Sequence, residues 1–107
     1  MPTVNIFYKN KAKELEKLEI GLKSFVAEKL STGEKKLSAE EISTRLISVG
    51  GKMIGDVELE VTAHALPERV QRQDDICNEV RKFMQEGCPS LGEVRVWLIL
   101  CELGHSW

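Results

Sequence analysis

Hydrophobic and polar positions divide the chain into two similar halves. Residues 3–8 alternate as a short strand, and the apolar residues of Ala12–Leu30 recur at helical spacing opposite a lysine- and glutamate-rich side. Ile42–Val49 is rich in β-branched residues, which predicts a second strand. The first half is therefore expected to be strand-helix-strand, and a helical crossover of this length makes the two strands parallel.

The second half repeats this order after a division near Gly50–Gly55. Val57–Ala65 alternates cleanly and predicts a strand with one polar face. Pro67 suits the first turn of a helix. The inward-facing residues of that helix are predicted to be Val70, Cys77, Val80, Phe83 and Met84. Val94–Cys101 is apolar apart from Arg95, which predicts a strand covered on both faces.

Four strands and two helices predict an α+β fold, a two-layer sandwich built from a duplicated β-α-β unit. The four-stranded sheet is expected to be mixed, with both helices on one face because right-handed crossovers place them there. We treat residues 1–107 as a single domain with pseudo-repeats at about 1–52 and 53–107. The opposite face of the last strand would be bare, so a homo-oligomer that packs sheets together is predicted to cover it.

Composition and charge argue against several classes of function. A net charge of −2, with acids and bases interspersed, argues against a nucleic-acid or anionic-membrane surface. No apolar run approaches the roughly 20 residues of a membrane helix, and the first ten residues do not resemble a signal peptide. The three cysteines lack CxxC spacing, and with only two histidines they provide no zinc constellation. We therefore predict a cytoplasmic protein with reduced thiols and no metal or cofactor.

The candidate catalytic group is Pro2, which leads directly into the first strand. Phosphate loops, dinucleotide fingerprints and nucleophile elbows are missing from the sequence. Methionine followed by proline is a good substrate for methionine removal, which would leave Pro2 with a free secondary amine. An α-amino group has a reference pKa of roughly 7.7–8.0. Burial and neighbouring cations lower an amine's pKa, so this amine is a candidate general base.

Two arginines near the starts of the closing strands, Arg45 and Arg95, are the candidate substrate-binding groups. They could lower the pKa of the Pro2 amine and clamp a substrate carboxylate through bidentate hydrogen bonds. A structural alternative for Arg95 is a place at the rim of the sheet, paired with a local glutamate.

Taken together, these residues resemble the tautomerase superfamily of 4-oxalocrotonate tautomerase, 5-carboxymethyl-2-hydroxymuconate isomerase and macrophage migration inhibitory factor. Val94-Arg95-Val96, an apolar strand and Gly104-His105-Ser106-Trp107 are similar to the family's final strand and its Gly-His-aromatic loop. Trp107 stands one residue after the family's aromatic position. Ile42-Ser43-Thr44-Arg45 is more similar to the hydroxymuconate isomerase branch.

The resemblance implies a cofactor-free keto-enol tautomerase acting on a small α-keto or unsaturated carboxylic acid. Pro2 would be the general base, Arg95 and Arg45 would bind the carboxylate, and Trp107 would contribute an apolar wall. It also implies a homotrimer. One alternative is hydration or dehalogenation of an unsaturated acid, which needs a further acidic residue near Pro2 that the sequence does not identify. A non-catalytic oligomer with the same fold is the other alternative.

Overall fold

The computed structural model describes residues 2–102 of the chain. The predicted strand-helix-strand order occurs twice, although the second helix is divided into two. The elements are β1 (Thr3–Tyr8), α1 (Ala12–Leu30), β2 (Ser43–Ser48), β3 (Val57–His64), α2 (Pro67–Gln71), α3 (Gln73–Gly87) and β4 (Val94–Cys101). Within residues 2–102, no helix combines the length and the apolar character needed to cross a membrane.

The sheet is mixed, as the sequence predicts, with the strand order β2-β1-β3-β4. β1 is parallel to β2 and β3 is parallel to β4, while the two halves meet through the antiparallel pair β1–β3. In that pair Thr3 faces Thr62 and Tyr8 faces Val57. The start of β1 therefore lies at the same end of the sheet as the end of β3 and the start of β2.

Both long helices cover one face of the sheet, which confirms the predicted two-layer α+β fold. Alternate residues of the strands and one stripe of each helix form the core between the layers. The fully buried side chains include Val4, Ile6, Leu15, Leu22, Leu30, Leu59, Val61, Ile76, Val80 and Met84. Close contact between the helices is visible where the rings of Phe25 and Phe83 stack with centroids 4.7 Å apart.

The predicted inward stripe of the second helix was partly wrong. Val70 is 43% exposed, whereas the neighbouring Arg69 is 4% exposed. Ile76, Val80 and Met84 are the buried residues of α3, and Arg69 lies seven residues before Ile76. Arg69 is the buried residue of α2, so a charged side chain takes an inward position in the second helical segment. The prediction missed this because it counted only apolar residues.

Residues 2–102 leave the face of the sheet away from the helices uncovered. Trp97 is 43% exposed and Ile99 is 41% exposed on this face. Asn5, paired with Glu60 and Arg45 on the adjacent strands, lies near its centre. The Asn5 side-chain oxygen is buried and has no hydrogen-bond partner among residues 2–102. The sheet thus presents apolar surface to whatever covers it, and the buried Asn5 oxygen beneath is unsatisfied within residues 2–102.

Hydrogen bonds between Asp56 and Glu93, beside Gly92, join the starts of β3 and β4, and we call these three residues the clasp. Asp56 accepts a hydrogen bond from the Glu93 backbone N–H (2.7 Å) through its carboxylate, and its own N–H donates to the Glu93 carbonyl (2.8 Å). Gly92 has φ 84° and ψ −141°, a conformation that strongly favours glycine. A Cβ atom at this position would also overlap the Asp56 carboxylate.

We expect Gly92→Ala to lower the free energy of unfolding by about 2–4 kcal/mol, because strain and steric overlap act together. The melting temperature should fall by roughly 10–20 °C for a domain of this size. Thermal and urea unfolding measure both values. Gly50→Ala is the matched control, since a Cβ at Gly50 meets nothing within 4 Å. Equal stability of the two variants would contradict this account of the clasp.

Candidate active site

A cavity of about 720 Å³ opens at the end of the sheet where β1 begins and β3 ends. Three segments form it: the start of β1, the loop between α1 and β2, and the turn from β3 into α2. Its lining residues are Pro2, Thr32, Gly33, Glu34, Lys35, Leu37, Glu41, His64, Leu66, Pro67, Glu68 and Arg69. Its volume is within the range of small-molecule sites.

Pro2 lies in this cavity and is buried. Its carbonyl accepts a hydrogen bond from the Ser43 backbone N–H (3.1 Å), which extends the β1–β2 ladder by one residue. The ladder therefore fixes the direction in which residue 2 enters the cavity wall. The catalytic role predicted for Pro2 also needs the removal of Met1, which lies outside the described residues.

Arg69 is the principal residue of the cavity that sequence reasoning missed. Its Nε donates to the Leu30 carbonyl (2.8 Å) and its Nη1 donates to the His64 carbonyl (3.2 Å). These bonds fix the guanidinium between the end of α1 and the end of β3. Three of its five N–H groups have no acceptor in the described part of the chain. Burial lowers the pKa of Arg69 below its usual value, because desolvation disfavours the charged form.

No carboxylate of residues 2–102 forms an ion pair with Arg69. A buried cation without a counter-ion is costly, since hydrogen bonds to neutral carbonyls only partly replace its hydration. At neutral pH the guanidinium nevertheless stays protonated. The cavity therefore contains a fixed positive charge that an incoming anion would compensate.

The other charged residues of the cavity differ in how they are engaged. Glu68 accepts a hydrogen bond from the Gly33 backbone N–H (3.1 Å), and Glu41 accepts one from the Ser38 N–H (3.2 Å). Lys35 is exposed at the rim and makes no ion pair within residues 2–102. Two of the acids are thus held by backbone donors, while Lys35 and Arg69 are available to an anion.

Arg45 and Arg95 do not line this cavity in the same chain. Arg45 is exposed on β2, paired with Asn5. Arg95 lies near the start of β4 beside Glu58, at the opposite end of the sheet from Pro2. Its Nη2 is 3.2 Å from Glu93 Oε1, the local pairing that a structural arginine at the rim would make. Trp107 lies outside the described residues.

A second, smaller cavity of about 350 Å³ adjoins Arg95, between α3 and β4. Cys77 lines it, and burial raises the pKa of this thiol above its usual value. A thiol whose pKa is raised is a poor nucleophile, so Cys77 has the properties of a structural cysteine. Among the described residues, no group of three metal-binding side chains comes together.

Solved structures provide the comparison with known proteins. No family model and no curated protein matches the chain. It is similar to a macrophage migration inhibitory factor-like protein from Entamoeba histolytica, with 10% identity, a TM-score of 0.66 and coverage of 98% of this chain and 95% of that one. A fused 4-OT protein solved as an asymmetric trimer has 12% identity, a TM-score of 0.69 and coverage of 96% and 91%.

A third similar structure is malonate semialdehyde decarboxylase, described with decarboxylase and hydratase activities, at 12% identity and a TM-score of 0.58. The alignment covers 95% of this chain and 84% of the decarboxylase chain. These likenesses confirm the tautomerase-like fold that the sequence predicts. The fold hosts more than one chemistry, so the activity has to be argued from the cavity.

Proposed function

We propose that the protein is a cofactor-free tautomerase of small α-keto or unsaturated carboxylic acids. The observation that supports this most directly is the presence of a buried arginine without a carboxylate partner, among residues 2–102, in the same cavity as Pro2. A substrate carboxylate would bind Arg69, and the Pro2 amine, once Met1 is removed, would act on the atoms next to it.

The proposed reaction moves one proton between oxygen and carbon. In the ketonisation of an enol, the Pro2 nitrogen takes the hydroxyl proton and returns a proton to the carbon at the other end of the double bond. Arg69 would hold the carboxylate and stabilise negative charge that develops on the adjacent oxygen. A cation in the same cavity would also disfavour protonation of that amine.

Arg45 and Arg95 enter this proposal as residues that one subunit contributes to another. Within one chain they are remote from Pro2, but both lie on the uncovered face of the sheet. The fused 4-OT structure is a trimer, and we extend a homotrimer to this protein. The exposed side chains of Trp97 and Ile99 support association through this face. The proposed aromatic wall from Trp107 remains a prediction.

The rate of ketonisation of phenylenolpyruvate tests the proposal. We expect protein whose mass shows that Met1 is absent to exceed the buffer rate at least about 100-fold, the lower range for general acid-base catalysis. The enol absorbance reports the reaction directly. A rate equal to buffer, from folded protein that lacks Met1, would reject generic tautomerase activity and favour the non-catalytic alternative.

Hydration of an unsaturated acid is a second candidate, and the position of Glu41 favours it. The sequence alone identified no acidic residue near Pro2, but Glu41 lines the same cavity. A carboxylate there could accept a proton from the water molecule that adds to one carbon of the double or triple bond, while the protonated Pro2 amine gives a proton to the other carbon. Incorporation of ¹⁸O from labelled water into the product of propiolate would indicate hydration, and its absence would leave tautomerisation.

A small carboxylate is the proposed ligand because Arg69 and Lys35 are the cations of the cavity. We propose no nucleic-acid or membrane partner. A reducing compartment such as the cytoplasm suits Cys77, Cys88 and Cys101, which are free thiols.

A further inference from the structure

The loop between α1 and β2 forms one wall of the cavity and has its own internal hydrogen bonds. Thr32 N–H donates to the Lys35 carbonyl (2.7 Å), and Lys35 N–H donates to Thr32 Oγ1 (2.9 Å). Leu37 N–H donates to Ser31 Oγ (2.9 Å), and that hydroxyl donates to the Ala27 carbonyl at the end of α1. Residues 31–37 therefore form a compact unit that carries Lys35 at the cavity rim.

This loop is tied to the opposite wall by one side chain of α2. Glu68 Oε2 accepts a hydrogen bond from the Gly33 N–H at 3.1 Å. In the described part of the chain, no other side-chain hydrogen bond joins residues 31–37 to the α2 side of the cavity. The next residue, Arg69, donates to the Leu30 carbonyl just before the loop. Two consecutive residues thus hold the end of α1 and the loop against α2.

We propose that Glu68 is a positioning residue that holds the 31–37 loop closed over the cavity. The inference rests on the proposed function, because it assigns the loop to carboxylate binding. With the Glu68–Gly33 bond formed, Lys35 and Arg69 line the same cavity, and both can contact one anion. Without it, the loop keeps its internal bonds but moves as a unit away from Arg69. Glu68 then determines substrate affinity without touching the reacting atoms.

Glu68→Gln and Glu68→Ala separate hydrogen bonding from charge. The glutamine retains an acceptor oxygen for the Gly33 N–H, whereas alanine removes it. Because one exposed hydrogen bond is lost, we expect Glu68→Ala to raise KM roughly three- to tenfold with little change in kcat. Glu68→Gln should remain within about twofold of the natural protein in both constants. Glu86→Ala, an exposed glutamate at the end of α3, is the matched control.

Limited digestion with trypsin gives a readout that does not require activity. Lys35 and Lys36 are exposed within the loop, and cleavage there is scored by peptide mass. We expect Glu68→Ala to be cut at this site roughly three- to tenfold faster, while Glu68→Gln and Glu86→Ala stay near the natural rate. Equal melting temperatures would show that the change is local.

The outcomes separate this proposal from the proposed function. Unchanged cleavage at Lys35 and Lys36 in folded Glu68→Ala would overturn the positioning role, even in an active enzyme. Faster cleavage together with a raised KM supports it. Unchanged KM in an active enzyme overturns it, whatever the cleavage rate. Faster cleavage in a protein without tautomerase activity would support loop closure by Glu68 and reject the proposed reaction.

Discussion

Protein that retains Met1 is expected to lose about 10²–10⁴-fold in kcat/KM for enol ketonisation. While Met1 is retained, the Pro2 nitrogen is part of an amide and has no basic lone pair. The buried position of residue 2 allows little adjustment, because its carbonyl is held by the Ser43 N–H. Mass spectrometry must establish the N-terminus of each preparation before the kinetics are compared.

Pro2→Ala tests the same nitrogen without adding a residue. Once Met1 is removed, alanine presents a primary amine, so we expect a smaller loss of at least about tenfold from the lower basicity and looser orientation. Pro89→Ala, at the start of a short 3-10 helix, is the matched control and should retain full activity. Full activity in protein that retains Met1 would exclude the amine as the base.

Arg69→Met is expected to lower kcat/KM by about 10²–10³-fold while changing stability much less. The loss corresponds to about 3–4 kcal/mol of interaction with the substrate carboxylate and the charge developing beside it. For folding, two effects oppose each other. The Leu30 and His64 carbonyls lose donors, at about 1–3 kcal/mol each, but a desolvated cation without a carboxylate partner in residues 2–102 is also removed.

The control for Arg69 is Arg81→Met, which removes an exposed arginine from α3. Both variants are compared by kinetics and by thermal unfolding with and without a carboxylate ligand such as phenylpyruvate. The ligand should raise the melting temperature of the natural protein and of Arg81→Met, because binding to the folded state stabilises it. It should not raise the melting temperature of Arg69→Met, which lacks the proposed carboxylate-binding group. Loss of stability with unchanged kcat/KM in Arg69→Met would assign the arginine a purely structural role.

The fold could be predicted because its information is local. Alternation in Val57–His64 and the helical spacing of α1 each mark an element, and the crossover rules then determine the order and the helix-covered face. A site residue could be predicted only where its proposed chemistry depends on its position in the sequence. Pro2 is such a case, since its predicted role depends on being second in the chain.

Arg69 was not predicted because a search for stripes of apolar residues does not include charged residues. It lies in α2, whose five residues are too few to show a helical period and which is separate from the helix that carries Ile76, Val80 and Met84. No local pattern marks Glu41 or Lys35 either. They share a cavity with Pro2 because the α1–β2 loop folds back at the end of the sheet.

The antiparallel β1–β3 pair places the starts of these two strands at opposite ends of the sheet, so the start of β3 is the second half's counterpart of the start of β1. There the clasp of Asp56, Gly92 and Glu93 joins β3 to β4. β3 is also entered from preceding chain, so its first residue carries an amide rather than an amine. In the proposed chemistry, each pair of repeats therefore has one reactive amine, and the proposed trimer has three.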